Sequence, residues 1–170
     1  MKNKLWDLLI TITGVLLGAL LSLQIYDYLN EKIEKREYGY KLYSLYQEIH
    51  HDWYVLGNLK TDPEGFIDNS KFGRIVTSLP PYFSVEILKL MYNSGLIGKY
   101  GTSTFKSWFP HYFYGMILLK ENVDLEIEGR IRTLEYDKYM ENLSQFLKDI
   151  ENEGERILGK EQWSQLFKED

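Results

Sequence analysis

No cysteine occurs in this 170-residue chain. Lipoprotein processing is therefore excluded, and the redox character of its compartment is left undecided. Histidine is nearly as scarce, with three residues, so the catalytic options are few. The sequence carries no signature of phosphate-loop, dinucleotide, zinc or catalytic-triad chemistry. No metal or cofactor is expected. Proline is limited to four residues, the first at Pro63, so nothing interrupts a helix in the first third of the chain. Flexible linkers, internal repeats and low-complexity tracts are also lacking.

What the chain does have is one long apolar run. Leu5 to Ile25 reads LWDLLITITGVLLGALLSLQI, with Asp7 as its one charge. About twenty residues at 1.5 Å each span a hydrocarbon core of roughly 30 Å. Trp6 flanks one end, and Tyr26 and Tyr28 the other, where aromatic rings favour the headgroup region. A transmembrane helix over 5–28 is the expectation. A cleaved signal peptide would have a shorter apolar core and a small-x-small site, which is not found here. A buried soluble helix is the other competing reading.

Asp7, Thr11, Gly14, Gly18 and Ser22 recur at four- and three-residue steps. At 100° per residue they fall within an arc of about 80° on one helix face. Small residues let helix backbones approach closely, and hydroxyls bridge them. An intramembrane carboxylate usually faces a bundle interior or water. The arc therefore reads as a helix–helix interface or a pore lining, although Asp7 is also close enough to the end of the span to reach the interface. Lys2 and Lys4 lie on one side of the span, against Lys32, Lys35, Arg36 and Lys41 on the other. That asymmetry favours a cytoplasmic carboxyl-terminal domain.

Beyond the span, Leu29, Ile33, Leu42, Leu45, Tyr46, Ile49, Trp53 and Leu56 keep helical spacing. The spacing predicts a membrane-proximal extension over 29–60, unbroken to about Leu59, through which association in the bilayer would reach the soluble part. The remaining 61–170 reads as a small helical bundle. Expected helices cover Lys71–Ser78, a segment after an N-cap at Ser84 that closes at Gly95, a segment after Thr102–Thr104 that begins near Pro110 or kinks there, and about Arg130 to Leu158 closed by Gly159. A short helical turn over Gln162–Phe167 follows. Val123, Leu125 and Ile127 alternate as in a strand, too briefly to require a sheet. The fold class is all-α.

Two stretches invite a chemical reading. Glu48-Ile49-His50-His51-Asp52 has metal-ligand residue types, but neighbours on a helix point apart, so solvated or interfacial side chains are expected. Lys106 and His111 place a cation and a base near each other in sequence. Paired across a dimer, His111 would move a 2′-hydroxyl proton while Lys106 stabilises phosphorane charge, as an RNA-cleaving site requires. Lys106 lacks the bidentate fork of arginine, however, and His111 sits among aromatics. Residues 66–120 carry six basic and two acidic side chains with many aromatics. Such a mixture can bind single-stranded RNA, but aromatics in this pattern more often form a core, and direct nucleic-acid binding is not expected.

The stretches ITGVLLGALLSLQIYDYLNEK, LYSLYQEIHHD and SVEILKLMYNSGLIGKY look like those of small bacterial membrane-anchored helical proteins. With Lys106-x4-His111, the layout resembles the small membrane accessory proteins of type VI-B CRISPR systems, which have one amino-terminal span and a divergent HEPN-like helical domain. The resemblance implies a homo-oligomeric pore in the bacterial inner membrane, its partners being the lipid bilayer, its own copies and an RNA-guided nuclease pathway of antiviral defence. Lysine in place of the arginine of Arg-x4-His ribonucleases argues against RNA cleavage. A membrane-tethered HEPN-like ribonuclease and a non-conducting scaffold for a cytosolic partner remain the alternatives.

Overall fold

The computed structural model describes residues 2–62, 83–127 and 135–168, and all regular structure among them is helical. The helices are α1 (Lys2–Thr61), α2 (Glu86–Asn93), α3 (Leu96–Tyr100), α4 (Ser103–Ile127), α5 (Tyr136–Leu158) and α6 (Lys160–Leu166). The chain divides into two units, 1–37 and 38–170. The uninterrupted first helix and the all-α class agree with the sequence reading. The expected helix at Lys71–Ser78 and the first residues of the one expected from Arg130 lie outside the described residues.

The amino-terminal unit is helix throughout its described length, so its backbone hydrogen bonds close internally. Its apolar side chains remain uncovered: Val15 is 67% exposed and Leu20 57%. From Ile10 onward α1 is long and apolar enough to cross a membrane, and none of its most apolar window is buried.

The second unit has a conventional core. Tyr38, Leu42, Leu45, Ile49, Leu56 and Leu59 form a fully buried stripe at helical spacing along α1. α4 contributes Phe105, Phe109, Met116, Leu119 and Val123, and α5 contributes Leu143, Phe146 and Ile150. Val55, Phe83, Val85, Leu88, Met91, Ile97 and Trp163 complete the same cluster. Val123 and Leu125, which alternate with Ile127 like strand residues, belong to the last turns of α4.

Helix ends follow local chemistry. Gly95 adopts φ 71° just after α2, and Gly159 adopts φ 86° between α5 and α6, both in the left-handed region that glycine enters without a Cβ penalty. α4 starts at Ser103 and passes through Pro110. Its cap is Thr102, whose hydroxyl accepts the Phe105 N–H at 3.2 Å. At the expected cap, the Ser84 hydroxyl accepts the Glu86 N–H in a long bond of 3.5 Å. α2 begins at Glu86 after Val85, which caps nothing with its own side chain, and the Ser84 hydroxyl also donates to Glu48 at 2.7 Å.

Gly154 permits a close approach between α5 and α6. A Cβ there would stand 2.3 Å from the Trp163 ring, which is itself buried. Gly154→Ala is expected to cost about 1–3 kcal/mol through overpacking. Gly115→Ala, where a Cβ meets nothing within 4 Å, should leave stability level or raise it by up to about 1 kcal/mol. Thermal melts of the full chain in detergent micelles, followed by circular dichroism, separate the two.

Candidate functional site

Asp7, Thr11, Gly14, Gly18 and Ser22 all lie on α1, in the amino-terminal unit. The helix brings them onto the one arc that their spacing implies. A Cβ added at Gly14 or Gly18 would meet nothing within 4 Å. The Ser22 hydroxyl donates to the Gly18 carbonyl oxygen at 2.8 Å. The hydroxyl is thereby satisfied within its own helix, so its polarity costs little in an apolar medium. At Gly14 and Gly18 the helix surface is therefore open to close approach by another backbone.

The second unit contains a different kind of site, centred on buried carboxylates. Glu48 and Asp52 stand one turn apart on α1, with Glu48 9% exposed and Asp52 wholly buried. They are therefore not the solvated or interfacial pair expected from the sequence. Glu48 Oε1 accepts the Ile87 N–H at 3.0 Å and the Ser84 hydroxyl at 2.7 Å, and Oε2 accepts the Leu88 N–H at 2.9 Å. A carboxylate from a remote helix thus caps the first turn of α2, where unpaired N–H groups and the helix dipole favour negative charge. Asp52 Oδ1 accepts the Ser84 N–H at 2.8 Å.

Burial pushes the Asp52 carboxyl up to about 9, and the neighbouring Glu48 charge adds to the shift. The Ser84 N–H and the Lys120 cation pull the other way without reversing it. Asp52 therefore carries a proton at neutral pH. Its Oδ2, and both ring nitrogens of His51, are buried with no hydrogen-bond partner among the described residues.

Glu153 plays a matching part on α5. It accepts the Thr102 N–H at 3.0 Å, ahead of α4, and pairs with Arg156 at 2.5 Å. The Tyr38 hydroxyl donates to it at 3.5 Å. Burial first, and then the Glu153 charge, raise the Tyr38 phenol well above its ordinary range. Arg156 also donates to the Tyr100 carbonyl oxygen, so one ion pair fastens the end of α3 and the start of α4 to α5.

Lys106 and His111 both lie exposed on α4. Five residues apart, they project about 140° from each other around the helix, so the structure does not bring them together. His111 borders a groove of about 630 Å³ between α4 and α5, its ring 5.6 Å from that of Trp108. Lys106 is not among the residues lining that groove. Among the described residues, no group of three or more histidine, aspartate or glutamate side chains is arranged to hold a metal ion. Sequence reasoning singled out Glu48 and Asp52 but set them aside as solvated or interfacial, and it missed Glu153. The available signal was their position at three- and four-residue steps from Leu45, Ile49, Leu56 and Ile150, inside the apolar stripes.

Compared with protein-family models, curated proteins and solved structures, the chain has no match.

Two outcomes follow from the carboxylates. Glu48→Ala leaves the α2 N–H groups without their acceptor and should cost about 2–4 kcal/mol. Asp52 holds its proton in the folded chain up to about pH 9 but loses it near pH 4 when unfolded. The folded state thus binds the extra proton between these values, and stability falls as pH rises across that window. Melting temperature measured from pH 5 to pH 9 should decline more steeply for the native chain than for Asp52→Asn, which cannot titrate. Equal slopes would remove Asp52 as the cause.

Proposed function

We propose that the chain is a non-enzymatic, single-pass protein of the bacterial inner membrane that assembles with its own copies through the Asp7–Ser22 arc. The assembly forms a pore that permeabilises or depolarises the membrane. The observation that carries this reading is an apolar helix whose side chains are uncovered and on which Asp7, Thr11, Gly14, Gly18 and Ser22 share one face, with open space above both glycines. Lipid satisfies the leucine face, and a second copy of the arc satisfies the small-residue face. The greater number of basic residues after the span supports a cytoplasmic second unit.

The family resemblance adds a setting, antiviral defence beside an RNA-guided nuclease, with the second unit a divergent HEPN-like bundle. The angular separation of Lys106 and His111 argues against their acting as one ribonuclease pair within a chain. A purified chain that cuts RNA, and loses that activity on His111→Ala, would reverse this ranking.

Sizing of the full chain in detergent should give an oligomer that Gly14→Leu and Gly18→Leu reduce toward monomer. A native chain that is monomeric throughout would end the reading. In liposomes the native chain should pass ions, and Asp7→Asn should shift cation-over-anion selectivity. An assembling but impermeable chain would instead favour a scaffold that tethers a cytosolic partner.

A further inference from the structure

The α4–α5 groove is not used by the membrane reading, and its chemistry points to a ligand of its own. Its volume of about 630 Å³ lies in the range of small-molecule sites. Trp108, Tyr112, Tyr139 and Phe146 supply aromatic walls, and Asp149 supplies a carboxylate. The Tyr112 ring stacks on Phe146 at 4.1 Å and 16°, which fixes one wall. Trp108 is 54% exposed at the lip, a large indole surface without full cover.

Asp149 differs from Glu153 and Glu48 in what it meets. Glu153 has an arginine, and Glu48 has a helix N-terminus. Among the described residues Asp149 receives two donors, both neutral, the Tyr112 hydroxyl on Oδ2 at 2.5 Å and the Gln145 amide on Oδ1 at 3.0 Å. Burial, the hydrogen bond to Asp149 and its charge all raise the Tyr112 phenol, which therefore remains a donor. Neutral donors orient the carboxylate without neutralising it, and each oxygen keeps a further lone pair for another donor. Among the described residues, no lysine or arginine lines the groove.

A carboxylate beside aromatic faces, in a groove that no lysine or arginine lines among the described residues, complements one class of ligand. Ammonium groups gain from the carboxylate through a charge-assisted hydrogen bond or ion pair, and from the ring quadrupoles through cation–π attraction. An apolar body gains from the aromatic walls. Carboxylates and phosphates gain from neither and meet like charge. We propose that the α4–α5 groove binds a small organic ammonium compound, its cation against Asp149 and its apolar body between Trp108 and the Tyr112–Phe146 wall. The inference stands apart from pore formation and holds whether or not the span conducts.

Gly115 offers a clean way to close the groove. It lines the cleft, and a Cβ there meets nothing within 4 Å, so Gly115→Leu fills the space without a clash at its root. The test is calorimetric titration of the full chain in micelles with phenethylamine, 3-phenylpropanol and 3-phenylpropionate, which share a ring and differ in charge. Phenethylamine should bind at least about tenfold more tightly than the alcohol, a difference of ~1.4 kcal/mol, and the propionate should bind weakest. Asp149→Asn should abolish that preference, and Gly115→Leu should abolish binding while the melting temperature is kept. The proposal is overturned if the amine fails to bind the folded chain, if the alcohol or the propionate binds as well as the amine, or if Gly115→Leu leaves the heat of binding unchanged.

Discussion

Apolar side chains that find no partner in their own chain must find one elsewhere. That constraint governs the first unit of this protein. In water, each Å² of uncovered apolar surface costs about 25 cal/mol, and a run of exposed leucine, isoleucine and valine side chains from Ile10 to Leu29 leaves far too much of it. A bilayer removes that cost without asking anything of the backbone, whose hydrogen bonds are already closed within α1. Lipid, however, offers no advantage to glycine, serine or threonine over leucine. On the proposed reading, the arc from Asp7 to Ser22 is the part of the surface that a second helix would satisfy better than lipid.

The second unit solves the opposite problem. Its core is ample, but α2 has eight residues and α3 five, too short to stand alone. Their ends are held by charge from other helices. Glu48 closes the start of α2, while Glu153 with Arg156 joins the end of α3 to the start of α4. Burying these groups is tolerable because their strong acceptors meet donors that would otherwise be orphaned. Asp52, lodged beside Glu48 with one oxygen unpartnered, is the exception, and it avoids a buried charge by keeping its proton.

Much of this was legible in the sequence. The length of α1 followed from an absence of proline and a steady apolar period. The glycines at 95 and 159 marked helix ends because φ near +70° to +90° suits no other residue as well. Thr102 was readable as a cap from its place before an aromatic run. The functions of Glu48 and Glu153 were not, since a carboxylate on an apolar stripe reveals its role only when the distant N–H groups it meets are known. Ser84 was half legible: its hydroxyl accepts the local Glu86 N–H, but its donation to a residue thirty-six positions away was hidden for the same reason. The groove beside His111 likewise depends on how α4 meets α5, which no spacing within either helix encodes.

The absence of cysteine makes the central claim directly measurable. Single cysteines can be introduced one at a time along α1 in an otherwise thiol-free chain, reconstituted in liposomes and oxidised. If copies meet through the arc, Gly14→Cys, Gly18→Cys and Ser22→Cys will cross-link efficiently. Leu16→Cys, Leu20→Cys and Leu23→Cys, on the opposite face, will not. Cross-linking that is uniform around the helix, strongest on the leucine face or absent at every position would contradict the account.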